Sequence, residues 1–205
     1  MTWTQAFSGQ PVSFLAPDAT NIELEDIAIA LSRIPRFNGA TRFPYSVAQH
    51  SVHVMQTVKE ASPADAAAHL WGLMHDAHEA YTGDATTPYQ QAIEAELPTG
   101  WPSPIKRIQE RLDRAIAQRF GIDWVDVGAV KPLVKRADII ACSTEKAQLM
   151  AKTPAGWDWP AMPEPCEIEL QQISAANAEW LFRFNFERCL AAYQQSKVKL
   201  LEAAE

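Results

Sequence analysis

Apolar positions recur at helical spacing through most of the chain. Residues 22–33 (IELEDIAIALSR) place Ile22, Ile29 and similar apolar residues on one face, after a Pro17-Asp18 loop. A second helix is predicted over 46–60. Its opening, Ser46-Val47-Ala48-Gln49, has the form of a capping box, in which the Ser and Gln side chains each satisfy a free N–H of the first turn. A third helix is predicted from Ser62-Pro63, with Pro in the first helical position and Asp65 in the first turn. It runs to about Glu79 and carries the cluster Leu70, Trp71, Leu73 and Met74. Thr87-Pro88 opens a shorter helix, and Pro98, Gly100, Pro102 and Pro104 mark a loop. Residues 105–120 (IKRIQERLDRAIAQRF) are strongly amphipathic, with Gly121 as the stop. Another helix is predicted over roughly 130–151, with Pro132 in its first turn. Residues 153–166, with four prolines and two tryptophans, read as a long loop, and 174–201 close the chain as a helix.

No strand–helix alternation, internal repeat or low-complexity tract interrupts this pattern. The expected fold class is all-α: a single-domain helical bundle over 1–205, with a core at about 22–152 and a C-terminal loop and helix at 153–205. At 205 residues and 47% hydrophobic, the chain suits one core better than two. Charged residues are only 21% and aromatics are spread throughout, which excludes global disorder. A net charge of −7 argues against coating nucleic acid by bulk charge, yet leaves room for a small phosphorylated ligand held by a few placed cations. His, Asp or Glu breaks every long apolar stretch, so no membrane span is expected. The N-terminus has no basic region followed by an apolar run, so no signal peptide is expected. Cys142, Cys166 and Cys189 are far apart and form no CxxC, which points to a reduced, cytoplasmic chain with inert thiols.

The five histidines are His50, His53, His69, His75 and His78. His75-Asp76 is followed by Glu79 and Asp84, and Asp138 lies in an apolar helical context, LVKRADIIA. A carboxylate on such a face needs a partner, and a metal ion supplies one. On a helix, Glu79 shares a face with His75 and Asp76, one turn on. His50 and Asp138 would arrive from two other helices to complete a site of two imidazoles and two aspartates with room for water or substrate oxygens. Taken singly, each residue has an ordinary explanation: a lone histidine is usually structural, and Asp138 could cap a helix or pair with Lys135 or Arg136. His53, His69 and His78 are assigned to structure. The joint order His50, His75-Asp76, Asp138 is what points to a metal.

That order resembles the HD-domain phosphohydrolases. Residues 32–54 (SRIPRFNGATRFPYSVAQHSVHV), 74–88 (MHDAHEAYTGDATTP) and 133–146 (LVKRADIIACSTEK) are similar to the bacterial 5′-deoxynucleotidase branch and to related phage phosphohydrolases, among them deoxyadenosine triphosphate triphosphohydrolases. The resemblance implies an HD-domain bundle in which His50, His75, Asp76 and Asp138 are the metal ligands. It makes Glu79 the acid that handles the attacking water or leaving oxygen, Asp84 a second acid that positions water, and Arg33 the grip on the substrate phosphate. Ile34 stands where some relatives have a Trp near the sugar and base, and Phe37 or Phe43 are candidates to compensate. Arg36 and Arg42 are extra cations in the same segment, with a solvated loop as their bland alternative.

Dinuclear relatives add histidines between the HD pair and the last Asp, and this chain has none, so one divalent ion is expected. Mn²⁺, Co²⁺ or Ni²⁺ suit two imidazoles best, with Mg²⁺ or Zn²⁺ also compatible. Such an ion acidifies bound water and draws off phosphoryl charge. The expected function is metal-dependent hydrolysis of the 5′ phosphate ester of deoxynucleoside monophosphates. The alternatives are a deoxynucleoside triphosphate triphosphohydrolase releasing tripolyphosphate and a non-catalytic nucleotide-binding module. Arg36, Arg42, Lys131, Lys135 and Arg136 are the cations available for further phosphates. The expected partner is a small nucleotide, with no stable nucleic-acid or membrane contact. A homo-oligomer is expected, with the 154–165 segment or the terminal helix as its interface.

Overall fold

The Ser46 hydroxyl accepts the Gln49 N–H (3.3 Å) and the Gln49 side chain accepts the Ser46 N–H (3.2 Å), so the capping box starts a helix where the sequence asks for one. In the computed structural model, which describes residues 1–203, that helix is α2 (Val47–Ala61). The other helices are α1 (Leu24–Arg33), α3 (Ala66–Met74), α4 (Glu79–Thr82), α5 (Thr87–Ala95), α6 (Pro104–Arg119), α7 (Trp124–Leu149) and α8 (Ala175–Glu202). The fold is an all-α bundle. The last two residues of the expected domain, 204 and 205, lie outside the described residues. No helix among the described residues is long and apolar enough to cross a membrane.

Three expectations need correction. First, the N-terminus carries a hairpin: β1 (Trp3–Gln5) pairs antiparallel with β2 (Pro11–Ser13), Thr4 opposite Val12. Strands of three residues with only Val12 fully buried leave almost no alternation in the sequence. Asp26 of α1 holds this hairpin by accepting from the Ser8 N–H (2.6 Å) and hydroxyl (2.8 Å).

Second, α3 starts later and ends earlier than predicted. Asp65, expected in the first turn, is instead the cap, accepting from the Ala68 N–H (2.9 Å), and Pro63 lies before the helix. After Met74 the chain tightens into three-residue-spaced bonds, from the Ala77 N–H to the Met74 carbonyl and from the Glu79 N–H to the Asp76 carbonyl, before α4 begins. Third, α7 begins at Trp124, so Pro132 lies inside the helix rather than in its first turn. Asp123 supplies the start by capping the Val125 N–H (2.8 Å), and Pro132 simply leaves the Gly128 carbonyl without its helical donor.

The core is built around α3, which packs against α2, α7 and α8, while α1 packs against α8 and α4. Leu70, Leu73 and Met74 of α3 are fully buried with Met55 and Val58 of α2 and Phe182 of α8. Gly72 permits the close approach of α2: a Cβ there would lie 3.3 Å from the Met55 Cα and 3.2 Å from the Val58 Cγ2. Gly72→Val is therefore expected to destabilise by about 1–3 kcal/mol through overpacking. Gly128→Ala, at an exposed position with no neighbour within 4 Å, should be neutral or stabilise by up to about 1 kcal/mol. Thermal melts of the two variants check the contrast.

Candidate metal centre

Three elements deliver the four predicted ligands. His50 sits mid-way along α2 and is fully buried, His75 and Asp76 leave the tightened turn after α3, and Asp138 comes from α7. The turn replaces the continuous helix expected from the sequence, and the two neighbouring side chains still converge beyond the backbone. The Asp76 Oδ2 lies 3.2 Å from the His75 Nε2 and 3.6 Å from the His50 Nε2, and the Asp138 Oδ1 lies 3.2 Å from the His50 Nε2. His50, His75 and Asp138 each offer a ligand atom within 4.8 Å of the others.

Both imidazoles are aimed by their other nitrogen. His75 Nδ1 donates to the Gly72 carbonyl (2.9 Å), and His50 Nδ1 pairs with the Glu145 Oε1 (2.7 Å). Each Nε2 is then buried, faces the aspartates, and has no hydrogen-bond partner. Fixing one ring nitrogen so that the other is free is how metal-binding histidines are held. Burial and the Arg36 guanidinium oppose protonation of His50, but Glu145 and Asp138 outweigh them and hold its pKa up, at about 9. Burial also works against ionisation of Asp76, yet His75 and His50 keep it well below the usual carboxylate range; Asp138 is depressed likewise by His50. Two ionised carboxylates converging on two free imidazole nitrogens call for positive charge between them. A proton on His50 supplies it, and so would a divalent cation, whose binding displaces that proton. The donor set fits such an ion.

Glu79 and Asp84, to which the resemblance gives catalytic roles, flank this group. Glu79, at the start of α4, is buried, and its Oε2 has no partner. Burial, then Asp76 and Asp84, push its pKa well above the ordinary carboxylate value. Asp84 is raised by burial and by Asp76 against the pull of Arg36. Asp76, His78 and Glu79 form a second close set of ligand-type atoms beside the first.

The residues expected to meet a substrate divide. Arg36 is buried between two acids, 3.4 Å from the Glu145 Oε2 and 3.7 Å from the Asp84 Oδ2, and is not the solvated loop residue of the bland alternative. Arg33 stands exposed over the Phe7 ring (5.8 Å), and its neighbour Ile34 packs against the core. Arg36 opens a turn in which Phe37 (φ 53°) and Asn38 (φ 52°) adopt left-handed backbone, which side-chain-bearing residues seldom do. Lys135 reaches the rim, its ammonium 2.7 Å from the Asp138 Oδ2.

Glu145 was not singled out from the sequence, although it aims His50 and anchors Arg36. The available signal is its spacing: seven residues beyond Asp138, two turns along the same face of α7. The three histidines assigned to structure have partners of their own. The His69 ring donates to the Ser62 carbonyl (2.8 Å), the His53 Nε2 lies 3.6 Å from the Cys166 Sγ, and the His78 Nδ1 pairs with the buried Asp113 (2.9 Å).

Burial opposes protonation of His78, but Asp113 outweighs it and raises the pKa above the ordinary 6.5. The folded state therefore binds this proton more tightly than the unfolded chain. The stabilisation is complete below pH 6.5 and fades as pH rises through the raised folded value. Asp113→Asn should accordingly cost more stability at pH 6 than at pH 9. Denaturant melts at the two pH values, with chelator present, measure the difference.

The chain matches no family model. An uncharacterized protein of Rhodobacter capsulatus is 33% identical over 150 residues, covering 72% of each chain. The uncharacterized protein YfdR of Escherichia coli K12 is 33% identical over 149 residues, covering 73% of each. With a third of the positions shared over nearly three quarters of both lengths, the chain belongs to the family of these two proteins.

Proposed function

We propose that the protein is a metal-dependent phosphohydrolase of the HD-domain type, acting on the 5′ phosphate ester of deoxynucleoside monophosphates. One observation carries this reading: two buried, unpartnered imidazole nitrogens from separate elements lie beside two aspartates, with ligand atoms of His50, His75 and Asp138 within 4.8 Å of one another. His50, His75, Asp76 and Asp138 would hold the ion. When bound, a divalent cation draws charge from the phosphoryl oxygens and acidifies water.

The chain's own groups supply the rest. Glu79, whose pKa is raised by burial and by Asp76 and Asp84, is suited to pass a proton to the leaving 5′ oxygen. Asp84, across from the ion site, orients water. Arg36 is permanently charged and its fork matches phosphate oxygens. Its guanidinium already lies between Glu145 and Asp84, so in this reading it takes the phosphate-binding part that the resemblance gives to Arg33.

Lys135 favours a second reading. Its side chain is largely exposed at the rim while its ammonium pairs with Asp138, a placement suited to phosphates beyond the first, as in a triphosphohydrolase. Incubation with dAMP and with dATP, with Mn²⁺, Co²⁺ or Mg²⁺, decides by product. Phosphate from dAMP is expected; tripolyphosphate from dATP alone would move the assignment to the triphosphohydrolase, and no hydrolysis of either would favour a non-catalytic nucleotide-binding module. Glu79→Gln should lower kcat by about 10²–10⁴-fold with metal content unchanged by elemental analysis. Arg36→Ala should raise KM for the nucleotide at least about tenfold through a lost charge-assisted contact. Arg33→Ala should change it little, which steady-state kinetics of the pair will show.

A further inference from the structure

Next to the four expected ligands stands a second set of ligand-type atoms that the proposed reaction does not use as a set. Asp76, His78 and Glu79 each offer one atom, and the three lie within 4.8 Å of one another. All three come from the tightened turn between α3 and α4. There the Glu79 N–H donates to the Asp76 carbonyl (3.0 Å), and in a turn closed this way side chains three apart lie one over the other. His78 and Glu79 are each only 6% exposed, and the buried Glu79 Oε2 has no hydrogen-bond partner. A buried carboxylate oxygen left alone beside a second carboxylate calls for a cation.

The expectation of a single ion follows from the absence of histidines beyond His78. His78 itself, however, is aimed. Its Nδ1 pairs with the Oδ1 of Asp113, 35 residues further along on α6, at 2.9 Å, so Nε2 is the nitrogen left to offer. A carboxylate that fixes one ring nitrogen and frees the other is how a metal-binding histidine is oriented, and Glu145 treats His50 in the same way. One imidazole and two carboxylates suit the same divalent ions as the first group. Two features make this second position the weaker. Asp76 already faces His50 and His75, so its charge is shared. Two divalent ions on either side of one carboxylate also repel each other. We propose that Asp76, His78 and Glu79 form a second, weaker divalent-cation site, filled when metal is in excess, whose filling inhibits hydrolysis by tying up Glu79. The binding stands on geometry alone, whereas the inhibition rests on the proton-donor role proposed for Glu79.

Titration of the full chain, stripped with chelator, with Mn²⁺ tests this, free ion being counted by its paramagnetic resonance signal. Two ions per chain are expected, the second bound at least about tenfold more weakly. His78→Gln should abolish the second step and keep the first, with circular dichroism checking the fold. Asp113→Asn keeps the imidazole but loosens its aim, and should weaken the second step about tenfold or more with the first unchanged. Hydrolysis of dAMP should rise as the first ion binds and fall as the second does, and the fall should vanish in His78→Gln. One ion per chain at saturation, or a second ion that neither variant affects, would overturn the site. A fall in hydrolysis that survives His78→Gln would overturn the inhibition. Two ions with the expected variant pattern, but no hydrolysis at any Mn²⁺ level, would support the site and count against the phosphohydrolase reading instead.

Discussion

A buried carboxylate is costly unless something answers its charge, and Glu145 is answered twice. His50 takes one oxygen at 2.7 Å and Arg36 approaches the other at 3.4 Å. Burial pushes the Glu145 pKa up, and these two cationic partners more than reverse it. The candidate metal centre hangs from this arrangement. The Glu145 contact fixes which His50 nitrogen faces the aspartates, and the same carboxylate holds the guanidinium that reaches Asp84. Losing the acid would leave one imidazole unaimed and one guanidinium without its main partner.

The site is also shaped by what α3 does not do. Past Met74 the chain tightens, and α4 then starts so that Glu79 stands beside Asp76. The Asp76 carboxylate and the His75 imidazole converge there, 3.2 Å apart. The two unpartnered Nε2 atoms are the signature of the site, since buried polar atoms without partners are uncommon and call for an occupant.

Much of this was legible in the sequence, and the failures have physical causes. The α2 capping box, the stop at Gly121 and the span of α8 follow from rules confined to a few neighbouring residues. The hairpin did not, because three-residue strands offer too few positions for alternation. Pro132 misled because a helix interior can absorb one lost donor, and the start signal at Asp123 lay further back. The order of His50, His75-Asp76 and Asp138 could be seen because ligand types are rare and their spacing is distinctive. Glu145 could not be ranked above other acids, since its importance comes from contacts to α2 and to the loop after α1. The same holds for Arg33 and Arg36: three positions apart in the chain, they part company only when the loop folds, one toward Phe7 and the other inward.

Gly72 joins two matters usually kept apart. Its missing side chain lets α2 lie close, and its carbonyl receives the ring proton of His75. The tightness of the hydrophobic interior and the tautomer of His75 are thus set at one residue. A larger side chain at this one position would therefore press on α2 and also strain the segment that aims the His75 ring.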